Sequence, residues 1–178
     1  AAEHARLDTF TKGMTEEEIL EQQLSEGTAI GADFEQVKLL DKRDIYAHAN
    51  IVEGGFVWTD TKLQSVEMDT DLTLTPEFPY NWMYDGTKSK ENWFEMTIRC
   101  RSLLLVFKDS GEVNVGKAKV YVDGDYCLTA DPHINNWQHC NAVILFMEKE
   151  RKEHKIRIEI AEEDLEKQFT ILGFGFVE

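Results

Sequence analysis

Hydrophobic and polar positions alternate along much of the chain. Ile156, Ile158 and Ile160 alternate with Lys155, Arg157 and Glu159. Ala118, Val120 and Val122 alternate with Lys119 and Tyr121. A period of two belongs to a strand with one buried face and one wet face. Two further stretches, "SLLLVF" and "AVILFM", are continuously apolar, which predicts strands covered on both faces. Asp123-Gly124 is the pair that a type I′ hairpin turn prefers, because both central residues need positive φ.

From about residue 33 onward this texture continues. Candidate strands run from "FEQVKLL" through "IYAHANIV", "FVWTD", "KLQSVEM" and "LTLTP" to "NWFEMTIRC" and "SLLLVFK". The stretch "EFPYNWMYDGTKSKE" is aromatic and turn-rich. "KAKVYVDG", "YCLTA", "AVILFME", "HKIRIEIAE" and "KQFTILGFGFVE" complete the set. Roughly ten to twelve short strands with no long helix between them predict an all-β fold. Its most plausible form is a jelly-roll β-sandwich of two antiparallel sheets spanning 29–178. Residues 1–28 read instead as a short helical linker or docking segment. In "TEEEILEQQLSEG", Thr15 is an N-cap, Glu18 closes a capping box, and Ile19, Leu20 and Leu24 form an apolar stripe ended by Gly27.

Composition narrows the partners. The 178 residues fit one domain plus a tail, 42% are hydrophobic, and no apolar run approaches the ~20 residues of a membrane span. The 34 acidic and 19 basic residues leave a net charge of −15, which repels nucleic acid and anionic membranes but not a neutral ligand. The polar N-terminus does not read as a signal peptide, and the start without Met reads as a fragment of a longer protein. Cys100, Cys127 and Cys140 are too few for a disulfide framework; one bond among them stays open.

The motifs argue against catalysis. No Gly-x-Ser-x-Gly elbow is present, and "KDSGE" reads as a polar turn. His133, His139, Cys140 and Asp131 lack the short spacings of a strong metal site, so no metal is expected there. Glu67, Asp69 and Asp71 leave a structural calcium as a weakly supported cofactor, without an EF-hand pattern.

The aromatics point elsewhere. Phe94, Phe107, Phe146, Phe169, Phe174 and Phe176 read as core, and Trp93 can join them. Trp82 and Trp137 instead lie in turn-like stretches beside asparagines, "PYNWMYDG" and "INNWQHC". A pyranose stacks its apolar face on such a ring, and planar amides and carboxylates take its hydroxyls. The candidate carbohydrate-binding residues are therefore Trp82 and Trp137, then Trp58, Tyr80 and Tyr84. Asn81, Asp85, Asp131, Asn135, Asn136, Gln138 and His139 are the hydrogen-bonding candidates, with Lys108 as a cation at a strand end. The competing reading for each is an ordinary packed residue or a loop satisfying its own backbone.

"SLLLVFKDS", "GKAKVYVDGDYCLTADP", "NNWQHCNAVILF", "EHKIRIEIA" and "KQFTILGFGFVE" occur in this order, with "GGFVWTD" and "FPYNWMY" upstream. The series resembles the jelly-roll accessory domain attached to SGNH-type carbohydrate esterases of anaerobic, fibre-degrading gut bacteria. That resemblance implies a non-catalytic, carbohydrate-binding-module-like domain of a secreted enzyme of plant cell wall degradation. Its implied partners are a polysaccharide, here a β-glycan held through loop tryptophans, and a catalytic domain in the same polypeptide. The alternative is a structural accessory domain that packs on the esterase without binding glycan itself. A small hydrolase in its own right is a third possibility.

Overall fold

Two long strands organise the fold. The computed structural model describes residues 34–43, 45–62, 78–135 and 139–178, without the side chains of 45, 46 and 139. The strands are β1 (Lys38–Leu40), β2 (Ala49–Val52), β3 (Trp82–Asp85), β4 (Trp93–Asp109), β5 (Ala118–Val122), β6 (Asp125–Ala130), β7 (His139–Ile160) and β8 (Gln168–Val177). A helical turn, α1 (Ile45–His48), leads into β2, and a 3₁₀ turn at Glu162–Asp164 precedes β8. The strand order is β1-β8-β4-β7-β5-β6, with β2 added to β4 and β3 to β8. All of these pairings are antiparallel.

β4 joins "WFEMTIRC" to "SLLLVFK", and β7 joins "AVILFME" to "HKIRIEI", so each is one strand where the sequence predicts two. Their pairing slips between the halves, from Cys100↔Lys152 to Ser102↔Met147, so Glu148–Arg151 stands opposite Arg101 alone. Extra residues on one strand bend and twist it. The bend lets the sheet close on itself. Phe94 lies some 36 Å of extended chain from Leu105, yet its ring stacks 5.9 Å from Phe174, the cross-strand partner of Leu105. Phe107 stacks on Phe169 of the neighbouring β8, at 5.6 Å.

The enclosed core holds Phe94, Met96, Ile98, Leu103, Leu105 and Phe107 from β4. Ile156, Ile158 and Ile160 of β7 and Phe169, Phe174 and Phe176 of β8 complete it. This is the antiparallel β-sandwich that the alternation predicts. Asp123 (φ 55°) and Gly124 (φ 95°) are both left-handed, as the β5–β6 turn requires. No disulfide joins Cys100, Cys127 and Cys140, and burial pushes the Cys100 thiol up to about 11.

Three expectations need correction. Ile144 and Met147 of "AVILFM" are 49% and 52% exposed, so that stretch is covered on its inner face only, whereas in "SLLLVF" Leu104 and Val106 are half-buried. "IYAH" is a helical turn rather than the start of a strand. The turn-rich "PYNWMYDG" contains β3, because aromatic side chains suit a pleated, packed surface. The helical reading of 1–28, the "LTLTP" strand, most of "KLQSVEM", and Glu67, Asp69 and Asp71 lie outside the described residues.

Candidate functional site

Most of the β3 candidates are scaffold. Trp82 is fully buried, with its ring against Phe94 and Phe174, and its Nε1 donates to Glu53 at 3.1 Å. A ring enclosed on both faces offers nothing to a sugar. Asn81 is equally buried. Its amide accepts from the Asp60 backbone N–H and donates to the carbonyls of Asp60 and Phe78. The Tyr84 ring is buried and its hydroxyl donates to the Leu165 carbonyl at 2.6 Å. Asp85 is buried under Thr87, Lys88 and Gln168. Burial would raise its pKa, but the hydrogen bonds from Lys88 and Thr87 outweigh that and lower it to about 2. Lys108 is no solvated cation. It is buried and paired with Asp60 at 2.9 Å, and the Thr170 hydroxyl donates to the same carboxylate oxygen.

The remaining candidates scatter. Trp58 and Tyr80 are 38% and 45% exposed, and a cation covers one face of each ring, Lys88 over Trp58 and Arg43 over Tyr80. Asp131 pairs with Lys117 at 2.9 Å and accepts from the His133 backbone N–H. Exposed Asn135 donates through backbone and side chain to Asp109. Asn136, Trp137, Gln138 and the side chain of His139 lie outside the described residues.

A concave site does exist, on the outer face of β4, β7 and β5. A groove of about 300 Å³ is lined by Tyr121, Gly124, Lys155, Arg157 and Glu159. Strand geometry builds it directly. Ile156, Ile158 and Ile160 point into the core, so Lys155, Arg157 and Glu159 must point out. β5 supplies Tyr121 opposite Arg157, and β4 supplies Glu95 opposite Arg157 and Trp93 opposite Glu159. Tyr126 of β6 meets Tyr121 edge to face at 6.0 Å and is 59% exposed.

The hairpin turn forms one wall and is latched in place. The Asp123 carboxylate accepts from the Lys155 backbone N–H and contacts His154 Nδ1, each at 2.8 Å. The Asp123 backbone N–H donates to the Lys155 carbonyl. On the far side, Gly55 donates its N–H to the Trp93 carbonyl. A Cβ at Gly55 would lie 1.7 Å from the Glu91 carbonyl oxygen, so only glycine lets this loop approach.

The floor is polar, and its charged groups are ion-paired. Arg157 bonds Glu95 through Nη1 at 2.6 Å and Glu159 through Nε, while Lys155 reaches Glu95 at 3.2 Å. The Arg157 guanidinium also lies 5.1 Å from the Trp93 ring centre. Its hydrogen bond holds the Glu95 carboxyl below the usual range, against partial burial and with help from Lys155. Partial burial opposes the Arg157 charge, but the bonds to Glu159 and Glu95 outweigh it and raise its pKa. Arg157, Glu95 and Glu159 are half-buried and hold one another in place. What they provide is a rigid array of donors and acceptors beside aromatic rings. That combination fits a polyhydroxylated ligand.

Reading the residues singly misses this site. Tyr121 passes as a strand residue and Trp93 as core. The signal is the wet half of three alternations, Trp93/Glu95, Lys119/Tyr121 and Lys155/Arg157/Glu159. It becomes a site only once β7 is known to lie between β4 and β5.

No family model matches the chain, and no curated protein matches it in sequence. Solved structures share its fold. A two-domain esterase active on acetylated mannans, co-crystallised with mannopentaose, is similar with a TM-score of 0.54 and 17% identity. The match covers 80% of this chain and 37% of that one. A second structure of such an esterase gives 0.52 and 15%, covering 82% and 37%. A family two carbohydrate esterase from Cellvibrio japonicus gives 0.45 and 13%, covering 79% and 33%. The chain thus spans 37% of the length of the first two esterases. At these identities the likeness to the mannan esterases establishes a shared β-sandwich fold, one that in those proteins forms part of a longer chain.

Proposed function

We propose that the chain is a non-catalytic carbohydrate-binding module of a secreted enzyme that degrades plant polysaccharide, and that it binds a β-glycan in the groove over β7. The observation that carries this reading is the groove itself. Tyr121 offers an aromatic wall, and Lys155, Arg157 and Glu159 offer hydroxyl-directed donors and acceptors on a rigid strand. A volume of about 300 Å³ lies at the lower end of the range of ligand sites. Trp58 remains a second exposed ring, and Trp137 remains a loop candidate. The fold shared with carbohydrate esterases, over 37% of their length, supports a place beside a catalytic domain.

Native gels cast with xylan, glucomannan, β-glucan, xyloglucan or pectin test the reading. Retardation on at least one neutral glycan, lost in Tyr121→Ala, is the expected outcome. A chain that runs unretarded on all of them contradicts it. The same chain should not turn over acetylated xylan or aryl acetates; turnover would make it a hydrolase.

A second reading has its own observation. Val37, Leu39, Ile144 and Met147 are about half exposed, and Leu39, Gly175, Leu104 and Ile144 lie in one cross-strand row on the outer face of the other half of the sandwich. An apolar strip of this kind suits packing on a neighbouring catalytic domain. Binding and docking would use different faces, so the two readings are compatible.

A further inference from the structure

We propose that Tyr126 of β6 is a second aromatic contact of this site, and that the two tyrosines take a single glycan chain and not the flat face of a crystalline polysaccharide. This inference rests on the glycan-binding reading above and deepens it.

Tyr126 lies beyond the residues that line the groove but stands next to them. The cross-strand pairs Tyr126↔Tyr121 and Tyr121↔Arg157 put these three residues in one row across β6, β5 and β7. A bulge keeps that row on the outer face. Between Val120↔Leu128 and Tyr121↔Tyr126 the pairing slips, and Cys127 is the extra residue on β6. Strict alternation would give Tyr126 the same face as Leu128, which packs against the core. With the bulge, Cys127 joins Leu128 against the core, and Tyr126 is 59% exposed outside.

The ring is also held. The Tyr126 and Thr129 hydroxyls are hydrogen-bonded at 2.9 Å, and Thr129 pairs with Lys119, further along the same two strands. The Tyr126 side chain is therefore laid along β6. An exposed ring that is already ordered loses little freedom when a sugar stacks on it.

The angle between the rings selects the kind of ligand. The Tyr121 and Tyr126 ring centres lie 6.0 Å apart, with planes inclined at 74°. A flat crystalline face stacks on several rings only where those rings are coplanar. Here a face lying on one tyrosine meets the other edge-on, and the groove beside them is out of its reach. A single chain can turn from one sugar to the next. It can meet both rings and still place hydroxyls on Arg157 and Glu159.

Tyrosine-ring NMR titration with cellohexaose, xylohexaose and mannohexaose tests the proposal, with the Tyr126 signals assigned through Tyr126→Phe. At least one hexasaccharide should shift the ring signals of Tyr126 and Tyr121 together. Tyr126→Ala should weaken that hexasaccharide about tenfold, and Tyr126→Phe, which keeps the ring, by far less. Wild type should stay in solution over microcrystalline cellulose. Shifts at Tyr121 without Tyr126, or unchanged affinity in a folded Tyr126→Ala protein, would overturn the proposal. So would retention on microcrystalline cellulose, or a protein that is retained on polysaccharide yet binds none of the three hexasaccharides. The two levels fail separately. If no neutral polysaccharide is retained in the gels, the glycan-binding reading itself falls. If retention depends on Tyr121 while Tyr126 stays silent, only the assignment of Tyr126 falls.

Discussion

Trp82 and Trp93 show how little a residue's type reveals of its fate. Trp82 has the asparagine neighbours of a sugar platform, yet Phe94 and Phe174 enclose it. Trp93 lies inside an apolar-looking strand, yet it points to the wet face under Arg157. What separates them is strand parity. Phe94, Met96 and Ile98 take the core, so Trp93, Glu95 and Thr97 do not. That parity was readable in the sequence. The burial of Trp82 was not, because it depends on partners from β8. Trp82→Ala should therefore cost ~3–5 kcal/mol of stability, measured by denaturant unfolding. Lys108→Met leaves Asp60 buried without its cation and should cost a similar ~3–5 kcal/mol. A Lys108→Met protein of unchanged stability would return Lys108 to the list of surface candidates.

At the scale of elements, the alternations and the Asp123-Gly124 turn were legible because each is local. The groove was not, because it needs β4, β7 and β5 side by side, and Trp93 meets Glu159 from a distant part of the chain. The joining of "WFEMTIRC" to "SLLLVFK" was equally hidden, since charged residues in a bulge look like a turn. The hairpin latch gives a test. Asp123→Asn keeps a residue that tolerates positive φ but weakens the carboxylate's bonds to Lys155 N–H and His154. A loss of about 1–2 kcal/mol is expected, with weakened glycan binding as the Tyr121 wall loosens.

The β3–β4 turn carries a pH signature. The Asp85 pKa is lowered from 3.8 to about 2 in the folded chain, so its contribution to stability is complete above about 3.8 and is lost as pH falls toward 2. Thermal unfolding of Asp85→Asn should lack that part of the acid dependence. If wild type and variant show the same acid slope, the turn is not held by that carboxylate.

At the scale of the whole molecule, the bent strands leave two outer faces with different chemistry, one polar and grooved, one apolar. The net charge of −15 exerts no net pull on a neutral glycan, and the groove's cations Lys155 and Arg157 are already ion-paired. Binding of a neutral glycan should therefore change little between low and high salt, measured by titration at both. A steep salt dependence would point to a charged ligand instead. Glu95, lowered by Arg157, stays ionised above its ordinary value of 4.5, so binding should be flat from mildly acidic pH upward and weaken only as pH falls below that.

The central claim is that the outer face over β7 holds the glycan. Affinity electrophoresis of wild type, Tyr121→Ala and Trp82→Phe on one retained neutral polysaccharide tests it most directly. Wild type and Trp82→Phe should be retarded alike, because Trp82 is core, while Tyr121→Ala should run as it does without polysaccharide. Full retardation of a folded Tyr121→Ala protein would contradict the account.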